Sequence, residues 1–219
     1  PLVTEHPNIR FYAGYPLKVN NGSALGTLCI IDDKPREFDP EDLQLLRDLG
    51  VMAEQEIAAL QLATLDDLTL ISNRRGFTEL AKHSLNVCRR KGLSASILLF
   101  DLNKFKPIND KFGHAEGDRA LIVFANILRK VFRESDVFGR LGGDEFAVLM
   151  MDVDAENTQR VIQRFNSEVT TYNQEAARGY DIEYSVGFVN SLIENNIDVN
   201  DLLAAADKEM YAEKGNKVR

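Results

Sequence analysis

"SILLFDLNKFKPINDKFGHAEGD", residues 96–118, joins an apolar run to a carboxylate, two early lysines and two spaced glycines. Ile97, Leu98, Leu99 and Phe100 form a short continuous apolar run, which reads as a buried central strand, and Asp101 closes it. Open sheets place ligands at such strand ends. A carboxylate there is costly unless it is solvated, paired or bound to a metal. Taken alone, Asp101 also fits a polar residue that simply ends a strand. Lys104 and Lys106 add positive charge beside it, and Gly113 and Gly117 read as tight turns. Asn109 and Asp118 together have the chemistry to read a purine: a carboxylate accepts from guanine N1–H and the exocyclic amine, and an amide both donates and accepts. Asn109-Asp110 equally suits the cap or turn of a loop.

A second stretch, "FGRLGGDEFAVLMMD", residues 138–152, places two glycines and two acids at the mouth of another apolar run. Gly142, Gly143, Asp144 and Glu145 fit an ordinary hairpin turn. They also fit a floor on which a polyphosphate approaches the backbone, since glycine carries no side chain. If the two strands are neighbours, Asp144 opposes Asp101 and the pair forms an oxygen-only site suited to Mg²⁺. Neighbouring residues of an extended strand point to opposite faces, so Asp144 and Glu145 need not share one task.

Around these stretches the pattern is mixed α/β. The sequence predicts helices over 74–88, 117–132, 155–173 and 200–214, strands over 96–102 and 183–189, and paired strands around 141–145. No Gly-rich phosphate loop of the Rossmann or P-loop kind is present. Before Asp66 the organisation differs. Phe11 to Ile31 reads as two strands about a turn at Asn21-Gly22. Asp39-Pro40 then starts a long helix to about Thr64, with Asp as cap and Pro in the first turn. Leu43, Leu46, Ala53, Ile57 and Leu60 give it one apolar stripe, broken by Gly50. The stripe suits a helix lying on its own domain, or a parallel two-helix connector between protomers, which its length and position favour.

The net charge of −8 over 219 residues argues against a general nucleic-acid binder. It leaves room for a nucleotide substrate, whose phosphates local lysines and a divalent cation can neutralise. Cys29 and Cys88 are far apart and lack any zinc-ligand spacing, as do His6, His83 and His114. Two buried structural thiols in a reducing, cytoplasmic compartment is the expectation. No apolar run reaches the length of a membrane span. The opening at Pro1, without a methionine, reads as a fragment and leaves a membrane anchor upstream compatible with the sequence.

"RLGGDEF", with "FDLNKFKPINDKFGHAEGD" and "DDLTLISNRRGF" upstream, resembles the GGDEF family, the diguanylate cyclases, over roughly Asp66 to Lys214. The resemblance implies a palm-like nucleotidyl-cyclase fold, α/β in the α+β sense, with a mainly antiparallel central sheet flanked by helices. It implies three segments: a partial GAF-like sensor domain over 1–39, carried by "GTLCIIDDKPREFDPEDLQLL", a dimerising connector helix over 40–65, and the cyclase domain over 66–219. Asp101, the Leu102 carbonyl and Asp144 would hold two Mg²⁺ (or Mn²⁺) ions on GTP. Asn109 and Asp118 would read guanine. Phe105, Lys106, Gly142, Gly143 and Lys214 would contact the rest of GTP, and Glu145 would lie near the attacking 3′-hydroxyl, as general base or as a further metal contact. A homodimer, paired through the connector, would join two GTP molecules into cyclic di-GMP and release two pyrophosphates. "RESD", Arg133 to Asp136, matches the family's RxxD inhibitory site for that product, with Arg164 as a further candidate. An alternative is a non-catalytic cyclic di-GMP receptor that signals through the same helix. Three departures stand out: Leu70 replaces a glycine and should alter a local turn, Asn103 replaces a common aspartate, and Val218 occupies the place of a phosphate-binding arginine, with Arg219 one residue late.

Overall fold

The computed structural model describes residue 3 and residues 6–18, 22–192 and 198–217. The chain divides into two compact units between Ala63 and Thr64. In the first, β1 (Phe11–Lys18) pairs antiparallel with β2 (Ala24–Asp32), from Phe11 opposite Asp32 to Leu17 opposite Gly26. Of the expected turn, Asn21 lies outside the described residues, and Gly22 has φ 84°. Cys29 is exposed rather than buried as expected, because β2 belongs to a two-stranded sheet and most of its side chains are uncovered. Cys88 is buried.

The long helix α1 (Pro40–Thr64) starts as expected, with Asp39 Oδ1 accepting from the Asp42 N–H at 2.8 Å. Gly50 does not break it. A Cβ there would fall 2.1 Å from the Tyr15 ring, so the glycine seats an aromatic side chain. Of the apolar stripe only Leu46 is buried, whereas Leu43 and Leu60 are exposed.

The second unit is built on a four-stranded antiparallel sheet, ordered β4-β5-β3-β6. Its elements are α2 (Arg74–Lys91), β3 (Ser94–Asn103), α3 (Phe105–Phe112), α4 (His114–Val131), β4 (Val137–Gly142), β5 (Glu145–Met151), α5 (Ala155–Ala176), β6 (Glu183–Leu192) and α6 (Val199–Lys217). Period-two alternation splits the two central strands between two cores. Leu98, Phe100, Leu102, Phe146 and Val148 pack with Phe124 of α4 and Phe165 of α5. Ile97, Leu99, Ala147 and Leu149 share the other core with Phe77 and Leu85 of α2 and Ala206 of α6. Helices cover both faces, which is why β3 reads as a continuous apolar run. Phe100, Phe124 and Phe165 lie within 5.1–5.8 Å of one another, centroid to centroid. Truncating any of them to alanine is expected to cost about 3–5 kcal/mol.

The loop between β3 and α4 departs most from expectation. Asn109 and Asp110 lie in α3, a helix of their own, and α4 begins at His114. Gly113, φ 89°, makes the corner between the helices, but Gly117 is not a turn residue: it is buried inside α4. The reason is packing, since a Cβ on Gly117 would fall 1.9 Å from Asn109 Oδ1.

Candidate active site

The strands carrying the two sequence stretches are neighbours, and the ladder puts Glu145, not Asp144, directly opposite Asp101. Side chains opposite each other in an antiparallel pair share a face. Asp101 and Glu145 therefore extend the row of Leu99 and Ala147, on the side of α2. Asp144 sits one residue earlier, in the β4–β5 turn, and its carbonyl accepts from the Leu102 N–H at 3.1 Å. That bond fixes the turn against the end of β3. Asp101, Asp144 and Glu145 thus lie at one end of the sheet, all partly exposed.

The turn above them is shaped by two glycines. Gly142 has φ 156° and Gly143 φ 45°, a pair of conformations that L side chains rarely adopt, and no atom lies within 4 Å of where either Cβ would be. The backbone demands glycine here while the space over it stays open. The Gly143 carbonyl accepts from Arg140 Nε at 2.9 Å and Nη2 at 2.7 Å. The third nitrogen of the same guanidinium, Nη1, meets both oxygens of Asp66 at 3.2 and 3.1 Å. Asp66 also accepts from the Thr69 hydroxyl at 2.6 Å and N–H at 2.9 Å. Burial pushes the Asp66 carboxyl up, but the two Thr69 bonds and then Arg140 outweigh it and hold its pKa below the ordinary value. Segment 66–72 is thereby tied to the Gly142-Gly143 turn through one arginine. Within it Leu70 adopts φ 56° with its side chain exposed, so the leucine occupies a left-handed turn position that suits glycine.

Arg74, in the first turn of α2, donates to the Leu141 carbonyl at 2.9 Å and approaches Glu145 Oε2 at 3.4 Å. Lys104, at φ 56°, turns the chain from β3 into α3, and its ammonium meets Glu183 at 3.1 Å. Phe105 and Lys106 occupy the first turn of α3, Asn109 its last, and Asp118 lies near the start of α4. Lys214 falls in α6, while Val218 and Arg219 lie outside the described residues. The Asn103 amide oxygen accepts from the Ser185 hydroxyl at 2.9 Å.

The donor set suits a hard cation. It is oxygen-only, and among the described residues no group of three or more His, Cys, Asp and Glu side chains could hold a metal. Mg²⁺ is commonly bound by one or two carboxylates completed by substrate phosphates and water, which is what Asp101, Asp144 and the Leu102 carbonyl could offer.

Away from this end, Arg133, Asp136, Asp152, Asn157, Arg160 and Arg164 line a cleft of about 430 Å³. Asp136 Oδ2 accepts from the Arg133 N–H at 2.9 Å, and Arg164 donates to the Val131 carbonyl. Burial raises the Asp136 pKa, with the Arg133 N–H working against it. Arg160 pairs with Glu156 at 2.5 Å. Asp66, Arg74, Arg140 and Arg160 had no assigned role from sequence. Arg140 adjoins the glycines, but its partner Asp66 is brought to it only by the fold.

Residues 63–219 match the family described as "Diguanylate cyclase, GGDEF domain", and residues 1–57 match the GAF domain. The chain is 30% identical to the probable diguanylate cyclase DgcE of Escherichia coli K12 over 93% of its own length and 17% of that protein. It is 32% identical to the probable diguanylate cyclase DgcC of the same strain over 74% of its length and 44% of that protein. It thus spans less than half of these curated relatives. The crystal structure of the coiled coil and GGDEF domain of DgcB from Caulobacter crescentus, in complex with c-di-GMP, has the same fold, with TM-score 0.70 and 21% identity over 79% of this chain and 92% of that one. No helix among the described residues is long and apolar enough to cross a membrane. The chain belongs to the GGDEF family of diguanylate cyclases.

Proposed function

We propose that residues 66–219 condense two GTP molecules into cyclic di-GMP with release of two pyrophosphates. The observation that carries this reading is the placement of Asp101, Asp144 and Glu145 at one sheet end, beside an open Gly142-Gly143 turn. Two divalent ions, held by Asp101, Asp144 and the Leu102 carbonyl, would neutralise charge on the triphosphate and on the entering and leaving oxygens. Asn109 and Asp118 hold guanine from the α3–α4 corner, while Phe105, Lys106, Lys214 and the glycine turn receive the phosphates. Glu145, steadied by Arg74, takes the proton of the 3′-hydroxyl as its oxygen bonds to the α-phosphorus of the other nucleotide and pyrophosphate leaves.

One domain holds one GTP, so the reaction needs two domains facing each other. The reading therefore includes a homodimer paired through residues 40–65, below a partial GAF-like sensor over 1–39. The Arg133–Asp136 cleft receives the product and limits turnover; its guanidinium groups supply bidentate donors for phosphate. The test is incubation of the protein with GTP and Mg²⁺, with the product identified by mass spectrometry. Cyclic di-GMP should form and Asp144→Ala should abolish it. Binding of cyclic di-GMP without any turnover would overturn the catalytic reading in favour of a receptor.

A further inference from the structure

The guanine-reading pair rests on a lightly anchored corner. Ile108 is the buried residue of α3, and Gly113 joins α3 to α4. The Gly113 N–H donates to the Asn109 carbonyl at 2.9 Å, and the Gly113 carbonyl accepts from the N–H groups of Glu116 and Gly117 at 3.1 and 3.3 Å. Asn109, Gly113 and Glu116 are therefore linked through consecutive backbone bonds, and the Asn109 side chain lies on Gly117.

The segment between α5 and β6 grips this corner from outside. Arg178 Nη1 donates to both oxygens of Glu116, at 2.7 and 2.6 Å. The Tyr180 hydroxyl lies 3.2 Å from the Glu116 carbonyl and 3.1 Å from its Oε2, and donates there. The Tyr180 and Phe112 rings pack at 5.1 Å, tilted by 49°, and Gly179, φ 80°, brings the backbone against Phe112. Arg178 and Glu116 are only 28% and 27% exposed, so the pair is shielded enough for its geometry to matter.

We infer that Arg178 and Tyr180, by holding Glu116, are positioning residues that set the spacing of Asn109 and Asp118 and hence the selectivity for guanine. The inference rests on the proposed GTP reading and adds a specificity element outside the motifs of the site. A corner whose Glu116 is released by Arg178 and Tyr180 keeps its backbone but lets the two base-reading side chains drift apart. Loss of affinity then falls on the base and not on the phosphates.

The test measures binding of 3′-deoxy-GTP and 3′-deoxy-ITP, which lack the attacking hydroxyl, to the whole chain with Mg²⁺ by calorimetry. Inosine lacks the exocyclic amine, so the ratio of the two affinities reports base reading. In Arg178→Ala the Kd for 3′-deoxy-GTP should rise about tenfold and the preference over 3′-deoxy-ITP should shrink toward one. Tyr180→Phe, which keeps the ring on Phe112, should move both in the same direction by less. Arg178→Lys should restore most of the effect, since a single nitrogen, Nη1, makes both contacts to Glu116 and an ammonium can replace it. An unchanged ratio in Arg178→Ala and Tyr180→Phe, with Asn109→Ala still weakening 3′-deoxy-GTP, overturns the positioning role and leaves the GTP reading standing. If Asn109→Ala also has no effect, the guanine reading itself fails.

Discussion

Gly143→Ala separates a plain hairpin from a phosphate floor. Gly143 has φ 45°, and no atom lies within 4 Å of where its Cβ would be, so alanine meets a conformational cost and no clash. A non-glycine residue in the left-handed region costs about 1–2 kcal/mol. Removing a glycine from the unfolded chain returns roughly 0.4–1 kcal/mol. The net destabilisation is then about 1 kcal/mol, which for a unit of roughly 150 residues lowers Tm by about 3 °C. A domain stable by about 5–15 kcal/mol stays almost wholly folded under that loss. Activity should fall much further, by about a hundredfold, because a methyl in the open space displaces the triphosphate and a misplacement of about 1 Å is worth that much. The assay pairs a thermal melt with initial rates of cyclic di-GMP formation. Turnover that falls no more than the folded fraction would refute the phosphate-floor reasoning and leave only a turn.

Leu70→Gly should do the reverse at a non-catalytic turn: relief of the φ 56° leucine, set against glycine's extra unfolded freedom, leaves a gain of about 0.5–1 kcal/mol and a Tm about 2–3 °C higher. A lower Tm would mean the leucine side chain makes contacts that its exposure does not reveal. For Asp66 the folded pKa lies below the unfolded one, so its stabilisation is fully present above the unfolded value and is lost as pH falls through the folded value. The Tm gap between wild type and Asp66→Asn should accordingly be widest near neutrality and close as pH falls through the ordinary carboxylate value of 3.8 and below; a gap constant with pH would remove the charge from the explanation. Arg133→Ala should keep the initial rate but abolish the slowing of progress curves as cyclic di-GMP accumulates. Unchanged curvature would move inhibition elsewhere.

Sequence and structure agree best where one short segment contains the whole signal. The apolar run before Asp101 forms a strand covered on both faces, and Asp39 caps α1 through the Asp42 N–H. What sequence alone could not supply was partner identity across distance. Arg140 adjoins the glycines, yet its role depends on Asp66, which the fold brings to it. Asn109 looked like a loop residue because α3 is only eight residues long, and Gly117 looked like a turn because close packing against Asn109 leaves no mark in spacing. Asp144 was expected opposite Asp101; the β3–β5 ladder instead pairs Asp101 with Glu145 and leaves Asp144 in the turn, its carbonyl on the Leu102 N–H. Cys29 was read as buried from its apolar neighbours, but a two-stranded sheet leaves it uncovered.

Turnover per protomer, measured from GTP and Mg²⁺ across a wide range of protein concentration, tests the central claim most directly. Two half-sites that must face each other predict cyclic di-GMP and pyrophosphate in a one-to-two ratio, with turnover per protomer rising steeply before it levels off as dimers fill. Formation of no cyclic di-GMP at any concentration, with Asp101, Asp144 and Glu145 all intact, would contradict the account.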